Sequence, residues 1–237
     1  MERLARGASE VLRGDIERDG KGHASSGSDA AAGLPVARLA SLIIVFSLAY
    51  GAVMGCYPTL ADGRLLPIVF SAAKMPLLLG ATFALGVPSF WVLNTLLGVG
   101  EDFATVLRAL LSSLACFSIV LAALAPFTLL WYVSGASYSA AILFNGLMFA
   151  VACVGAQARL RRAYRPLVAR STAHRRLLGL WLAVFAFVGI QMGWMLRPFI
   201  GDPARPTRFF RHDTWGNAYL IVGRLAANTL AGRDASR

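Results

Sequence analysis

Between residues 36 and 200 this chain carries only three carboxylates, Asp62, Glu101 and Asp102. Leu, Ala, Val, Ile and Phe fill most of the space between them. Soluble domains average about 25% charged residues; here 15% are charged and 57% are hydrophobic. A single water-soluble domain of this length cannot hide that much apolar side chain. The pattern therefore predicts hydrocarbon as the surrounding solvent.

A helix that crosses a bilayer needs about 20 mostly apolar residues. Five segments qualify: 37–57, 66–98, 105–132, 137–157 and 177–197. In hydrocarbon an open segment satisfies its own backbone groups only as a helix. The expected fold class is therefore all-α, a polytopic bundle of five transmembrane helices over residues 36–198. The second segment contains Pro67, Pro76 and Pro88. Proline removes a backbone donor and its ring crowds the preceding turn, so a proline-broken second span is expected, with an entry piece at 66–75 and a main span at 77–98.

Orientation follows from Lys and Arg in short connections. The stretch between the fourth and fifth segments carries seven arginines, Arg159, Arg161, Arg162, Arg165, Arg170, Arg175 and Arg176. Read as a loop, it should face the cytoplasm against anionic headgroups, or meet other membrane or cytoplasmic proteins. Parity then puts the N-terminus inside, in what is expected to be a bacterial inner membrane. Arg197 marks the outer interface, with Trp194 at the depth of an aromatic belt. The net charge of +11 reflects scarce acids beside apolar spans. Nucleic acid is therefore not an expected partner.

Residues 1–35 hold six of the twelve acids. They are too acidic for a signal peptide, and the apolar run that follows is too long for one. "HASSGSDAAAG" reads as a solvated linker. An amphipathic helix within 1–18, through Leu4, Val11, Leu12 and Ile16, competes with a mobile cytoplasmic tail, and the tail is preferred. After the last span, the segment 199–237 contains "WGNAYLIVGRLAANTL" at 215–230. It is short for a span and carries Arg224, so it reads as an interfacial helix.

Polar groups inside spans are the default functional candidates. At about 1.5 Å of rise per residue, Lys74 and Asn145 lie about 12 Å below the outer ends of their spans and Gln191 lies about 9 Å before Arg197. These four residues form a candidate polar pocket in the outer leaflet. The competing reading is helix-to-helix hydrogen bonding, at about 0.6 kcal/mol per bond. Gly51-x-x-x-Gly55 and Gly189-x-x-x-Gly193 are small-residue pairs that let helices approach, within the bundle or in a homo-oligomer. Glu101 and Asp102 suit the start of the third helix. Cys56, Cys116 and Cys153 are isolated in apolar runs and read as small buried hydrophobes. The chain has no G-x-S-x-G, H-E-x-x-H or P-loop motif, so no catalytic residue, metal site or cofactor is expected.

Two stretches carry a resemblance. "KMPLLLGATFALGVPSFWVLNTLLG" at 74–98 has the form K-x-P-L-L followed by P-S-x-x-V-x-N-x-L-L-G, and "GWMLRPFIGDPARPTRFFR" spans 193–211. Both are similar to bacterial multi-pass proteins that resemble the YIP-type five-span family. The resemblance implies five membrane helices and a cytoplasmic N-terminus. Eukaryotic YIP proteins are associated with membrane traffic and small GTPases, but no residue here carries a GTPase-binding motif. The function expected is non-enzymatic, a membrane-organising or scaffold subunit acting through its arginine-rich loop. The alternative is a transporter or channel component that binds an anionic solute in the Lys74 pocket.

Overall fold

The computed structural model describes residues 2–13, 35–96, 98, 103–135, 137–170, 172–201 and 209. Among them are six helices and no strand: α1 (Glu2–Arg13), α2 (Val36–Asp62), α3 (Leu66–Leu96), α4 (Phe103–Val133), α5 (Tyr138–Arg170) and α6 (Thr172–Leu196). The five from α2 to α6 are long and apolar enough to cross a membrane. They alternate in direction. One end of the bundle holds α1, the end of α5 and the start of α6; the other holds residues 197–201.

Helix ends are placed by local chemistry. Gly63 closes α2 in the left-handed conformation (φ 71°), and its N–H returns to the Thr59 carbonyl at 2.9 Å. Ser137 Oγ accepts from the Ala140 N–H at 3.3 Å and caps α5.

α4 is the central helix. Every residue from Leu110 to Ile119 is buried, as an apolar helix enclosed on all sides must be. It packs against α2 on one side and α5 on the other. α3 lies on α2 and carries α6, while α5 and α6 touch only sparsely. The outward side chains are also apolar: Leu130, Leu143, Val154 and Phe187 are 66%, 75%, 69% and 58% exposed. A surface of that kind suits hydrocarbon rather than water.

The two glycine pairs have different roles. A Cβ on Gly51 would lie 2.5 Å from the Ser71 carbonyl oxygen, and one on Gly55 would lie 2.5 Å from that of Pro67. These glycines are what lets α2 and α3 meet backbone to backbone. A Cβ on Gly189 would sit at an ordinary 3.5 Å from Thr82, and one on Gly193 would meet nothing within 4 Å. The second pair is not a close-packing device.

Three expectations need correction. α3 runs unbroken from Leu66 to Leu96 with Pro76 and Pro88 inside it. Each proline forfeits one backbone bond, whereas breaking the helix in an apolar setting would strand several. The arginine-rich stretch is not a loop. α5 continues to Arg170 and α6 begins at Thr172. Leu160, Tyr164 and Leu167 recur at helical spacing and bury against Leu177 and Trp181, so both helices extend past their apolar spans. At about 1.5 Å per residue α5 is about 50 Å long, well beyond a hydrocarbon core of about 30 Å.

The third correction concerns the N-terminal tail, which contains α1. Val11 is fully buried, and Leu4 and Ala8 pack on the core formed by Leu39 and Leu42. The amphipathic-helix alternative is thus what the structure shows over Glu2–Arg13. Glu101, Asp102 and the segment 215–230 lie outside the described residues.

Candidate functional site

Lys74 is 1% exposed, and its Nζ donates to the carbonyl of Pro198 at 2.7 Å. One turn earlier on α3, Ser71 Oγ donates to the carbonyl of Phe199. From α5, the Tyr138 hydroxyl donates to that of Ile200 at 3.4 Å. Three successive carbonyls therefore accept from three side chains on two helices. The segment after α6 is strapped across the bundle end, and the Phe209 ring lies 4.9 Å from Lys74 Nζ. Lys74 is a strap anchor in this arrangement.

Asn145 joins three helices. Tyr50 on α2 donates its hydroxyl to Asn145 Oδ1 at 3.0 Å. Asn145 Nδ2 donates to the Tyr132 hydroxyl on α4 at 2.6 Å and to the Ala141 carbonyl at 2.7 Å. Its amide is fully engaged. Gln191 Oε1 is buried and has no hydrogen-bond partner among the described residues. The Arg197 guanidinium stacks on the Trp194 ring, 3.3 Å from its centroid. Of the four expected pocket residues, Asn145 and Arg197 line a common cavity; Lys74 and Gln191 do not line it.

That cavity is lined by residues of α2 to α6 and of the segment after α6. It has a volume of about 830 Å³ and lies where α5 and α6 splay apart, with α3 and α4 behind. Arg197, Pro198 and Tyr138 stand at one end, and Leu160, Leu110 and Trp181 at the other. Gly146 on α5 and Gly193 on α6 face it, and a Cβ on either would meet nothing within 4 Å. Thr82 Oγ1 and Trp181 Nε1 are buried polar atoms of its wall with no hydrogen-bond partner among the described residues. The rim residues Ile142, Cys153 and Ile190 are exposed, so the cavity is a groove open sideways between α5 and α6.

The seven arginines separate. Arg161, Arg162, Arg165, Arg175 and Arg176 are exposed along the α5–α6 hairpin. Arg170 is a helical residue whose side chain lies outside the described part. Arg159 is 8% exposed and does not face outward as expected. Its guanidinium donates to Ser112 Oγ at 3.3 Å and to the Val11 carbonyl in the last turn of α1. A cation there satisfies an orphan carbonyl and complements the helix dipole. Arg38 adds a 3.5 Å ion pair to Glu10.

Of the cysteines, Cys116 is buried, Cys56 is half-buried and Cys153 is exposed at the groove rim. The residues missed in the sequence are Ser71, Tyr50 and Tyr132, whose hydroxyls were a usable signal inside apolar spans. Gly146 gave no signal. Comparison of the sequence with protein-family models, with curated proteins and with solved structures gives no match. The likeness to YIP-type proteins thus rests on the two quoted stretches alone.

Chemically, the molecule offers two features. One is a set of exposed arginines on α5 and α6 at the α1 end. The other is a long apolar groove with a guanidinium at the opposite end.

Proposed function

We propose that the protein is a non-enzymatic integral membrane protein, a membrane-organising or scaffold subunit that presents the α5–α6 hairpin to anionic partners at the cytoplasmic face. The five exposed arginines on two helices joined through residue 171 carry this reading. A helical frame holds the charges in fixed relation, so an acidic protein surface or anionic headgroups meet a preset pattern. Each arginine near an anionic membrane surface contributes about 1 kcal/mol. The positive-inside rule puts this hairpin and the N-terminus on the cytoplasmic side and Arg197 on the other, in an inner membrane. The resemblance of two stretches to YIP-type five-span proteins is compatible with this reading and adds no residue to it.

The test is affinity purification of the full chain from membranes, with the five exposed arginines intact or replaced by glutamine. Loss of specific co-purifying proteins or anionic lipids from the substituted chain is expected. Recovery of the same set from both would remove the support.

The second reading, a transporter or channel component for an anionic solute, is favoured by Asn145 and Arg197 sharing one cavity. It is weakened by the commitment of Lys74 to the strap and of the Asn145 amide to two tyrosines.

A further inference from the structure

We infer that the groove between α5 and α6 is a binding site for one anionic phospholipid of the surrounding bilayer, with its acyl chain along the Gly146–Gly193 wall and its phosphate at Arg197. This rests on the membrane part of the reading above and goes beyond the hairpin.

The glycines give the first argument. In α2, glycines exist because a neighbouring backbone occupies the place of their side chains. In the groove, a Cβ on Gly146 or Gly193 would meet no protein atom within 4 Å. Glycine there leaves room, and the room is bounded by α3, α4, α5 and α6. In hydrocarbon such a groove, open at its side, is filled by something apolar.

Size narrows the occupant. The groove offers about 830 Å³, which is within the range of small-molecule sites. From Trp181 to Arg197 it runs about 24 Å along α6 at helical rise, a length suited to an extended acyl chain.

Wall chemistry narrows it further. Between its ends the lining is mostly Leu, Ile, Phe, Ala and Gly; its polar side chains are Thr82, Ser113, Asn145, Gln157 and Trp181, of which Ser113 and Asn145 are engaged in hydrogen bonds within the bundle. With Ser113 and Asn145 so engaged, Thr82, Gln157 and Trp181 leave few groups along that length for a soluble polar solute. Arg197 stands at the strapped end, half-exposed and oriented by its stack on Trp194. Its planar fork suits a phosphodiester. The strap residues Pro198 and Phe199 close that end of the groove, so the lipid enters sideways.

The test uses full-length protein in mild detergent with phosphatidylglycerol or phosphatidylcholine added, read by native mass spectrometry. The wild type is expected to retain one phosphatidylglycerol in preference to phosphatidylcholine. Gly146→Leu and Gly193→Leu, which fill empty space, are expected to weaken that adduct at least about tenfold with thermal unfolding near wild type, a difference of about 1.4 kcal/mol. Arg197→Gln is expected to erase the preference for the anionic lipid. Unchanged binding in folded leucine variants overturns the proposal, as does a tight dimer sealed across α5 and α6 without bound lipid.

If a leucine variant does not fold, a phosphatidylglycerol with a photoreactive chain decides the matter on the wild type. Crosslinks concentrated in 142–157 and 182–193 and competed by unlabelled phosphatidylglycerol support the site, and crosslinks spread evenly around the bundle overturn it. Release of the protein from membranes without detergent is a separate outcome, which removes the membrane reading itself.

Discussion

Lys74, near the start of α3, holds the carbonyl of Pro198, just past the end of α6, at 2.7 Å. The two are 124 positions apart in sequence. A lysine inside an apolar span reads as an ion or substrate ligand, yet its amine is turned toward the bundle's own backbone. Ser71 and Tyr138 repeat the same contact on the next two carbonyls. The strap closes the end of the groove where Arg197 stands.

Removing the anchor should loosen the strap without unfolding the bundle. A hydrogen bond contributes about 0.5–1.5 kcal/mol, so Lys74→Met should open the 198–200 segment about two- to tenfold more often. With the native cysteines replaced by alanine, a cysteine at Ile200, which is 6% exposed, reports this through its maleimide labelling rate. An equal rate in both backgrounds would show that Lys74 does not hold the strap.

The α2–α3 contact should be intolerant of one added carbon. Gly55→Ala places a Cβ 2.5 Å from the Pro67 carbonyl oxygen and should cost about 1–3 kcal/mol, read as an earlier thermal unfolding in detergent. Gly80→Ala is the control. A Cβ there meets nothing within 4 Å, so the change should be neutral or stabilising by up to about 1 kcal/mol. Similar losses at both sites would contradict the close-approach argument.

Tyr50 and Asn145 should be energetically coupled across α2 and α5. A double-mutant cycle with Tyr50→Phe and Asn145→Leu should give about 0.6 kcal/mol, and at most about 1.7, the range found for hydrogen bonds between membrane helices. A coupling of zero would mean that the 3.0 Å bond does not contribute to stability.

Arg159 should govern the docking of α1. Arg159→Gln removes the donor to the Val11 carbonyl, and faster amide hydrogen exchange is expected across residues 2–13 and nowhere else in the bundle. Unaltered protection would leave the apolar stripe of Leu4, Ala8 and Val11 as sufficient on its own.

Much of the architecture is written in local composition. Runs of about twenty apolar residues have one solution in hydrocarbon, so the number of long helices and their starts near 36, 66, 103 and 138 follow from residue type alone. Hydropathy also marks where apolar character ends, but not where a helix ends. Past residue 157 the arginines end the apolar run, yet Leu160, Tyr164 and Leu167 keep the helix going because partners on α6 exist to bury them. Helix continuation through Pro76 and Pro88 was likewise a matter of what a break would strand.

The sequence by itself determined the apolar character of the long segments, the five long helices and the scarcity of acids, because each depends on residues close together in the chain. Only the tertiary structure decided what each polar group faces. Depth along a helix gave Lys74, Asn145 and Gln191 a common level but no azimuth, and it is azimuth that sends Lys74 to a carbonyl and Asn145 to two tyrosines. The two glycine pairs are alike in sequence, and the difference between a packed backbone and an empty groove is set entirely by which neighbour the fold brings beside them.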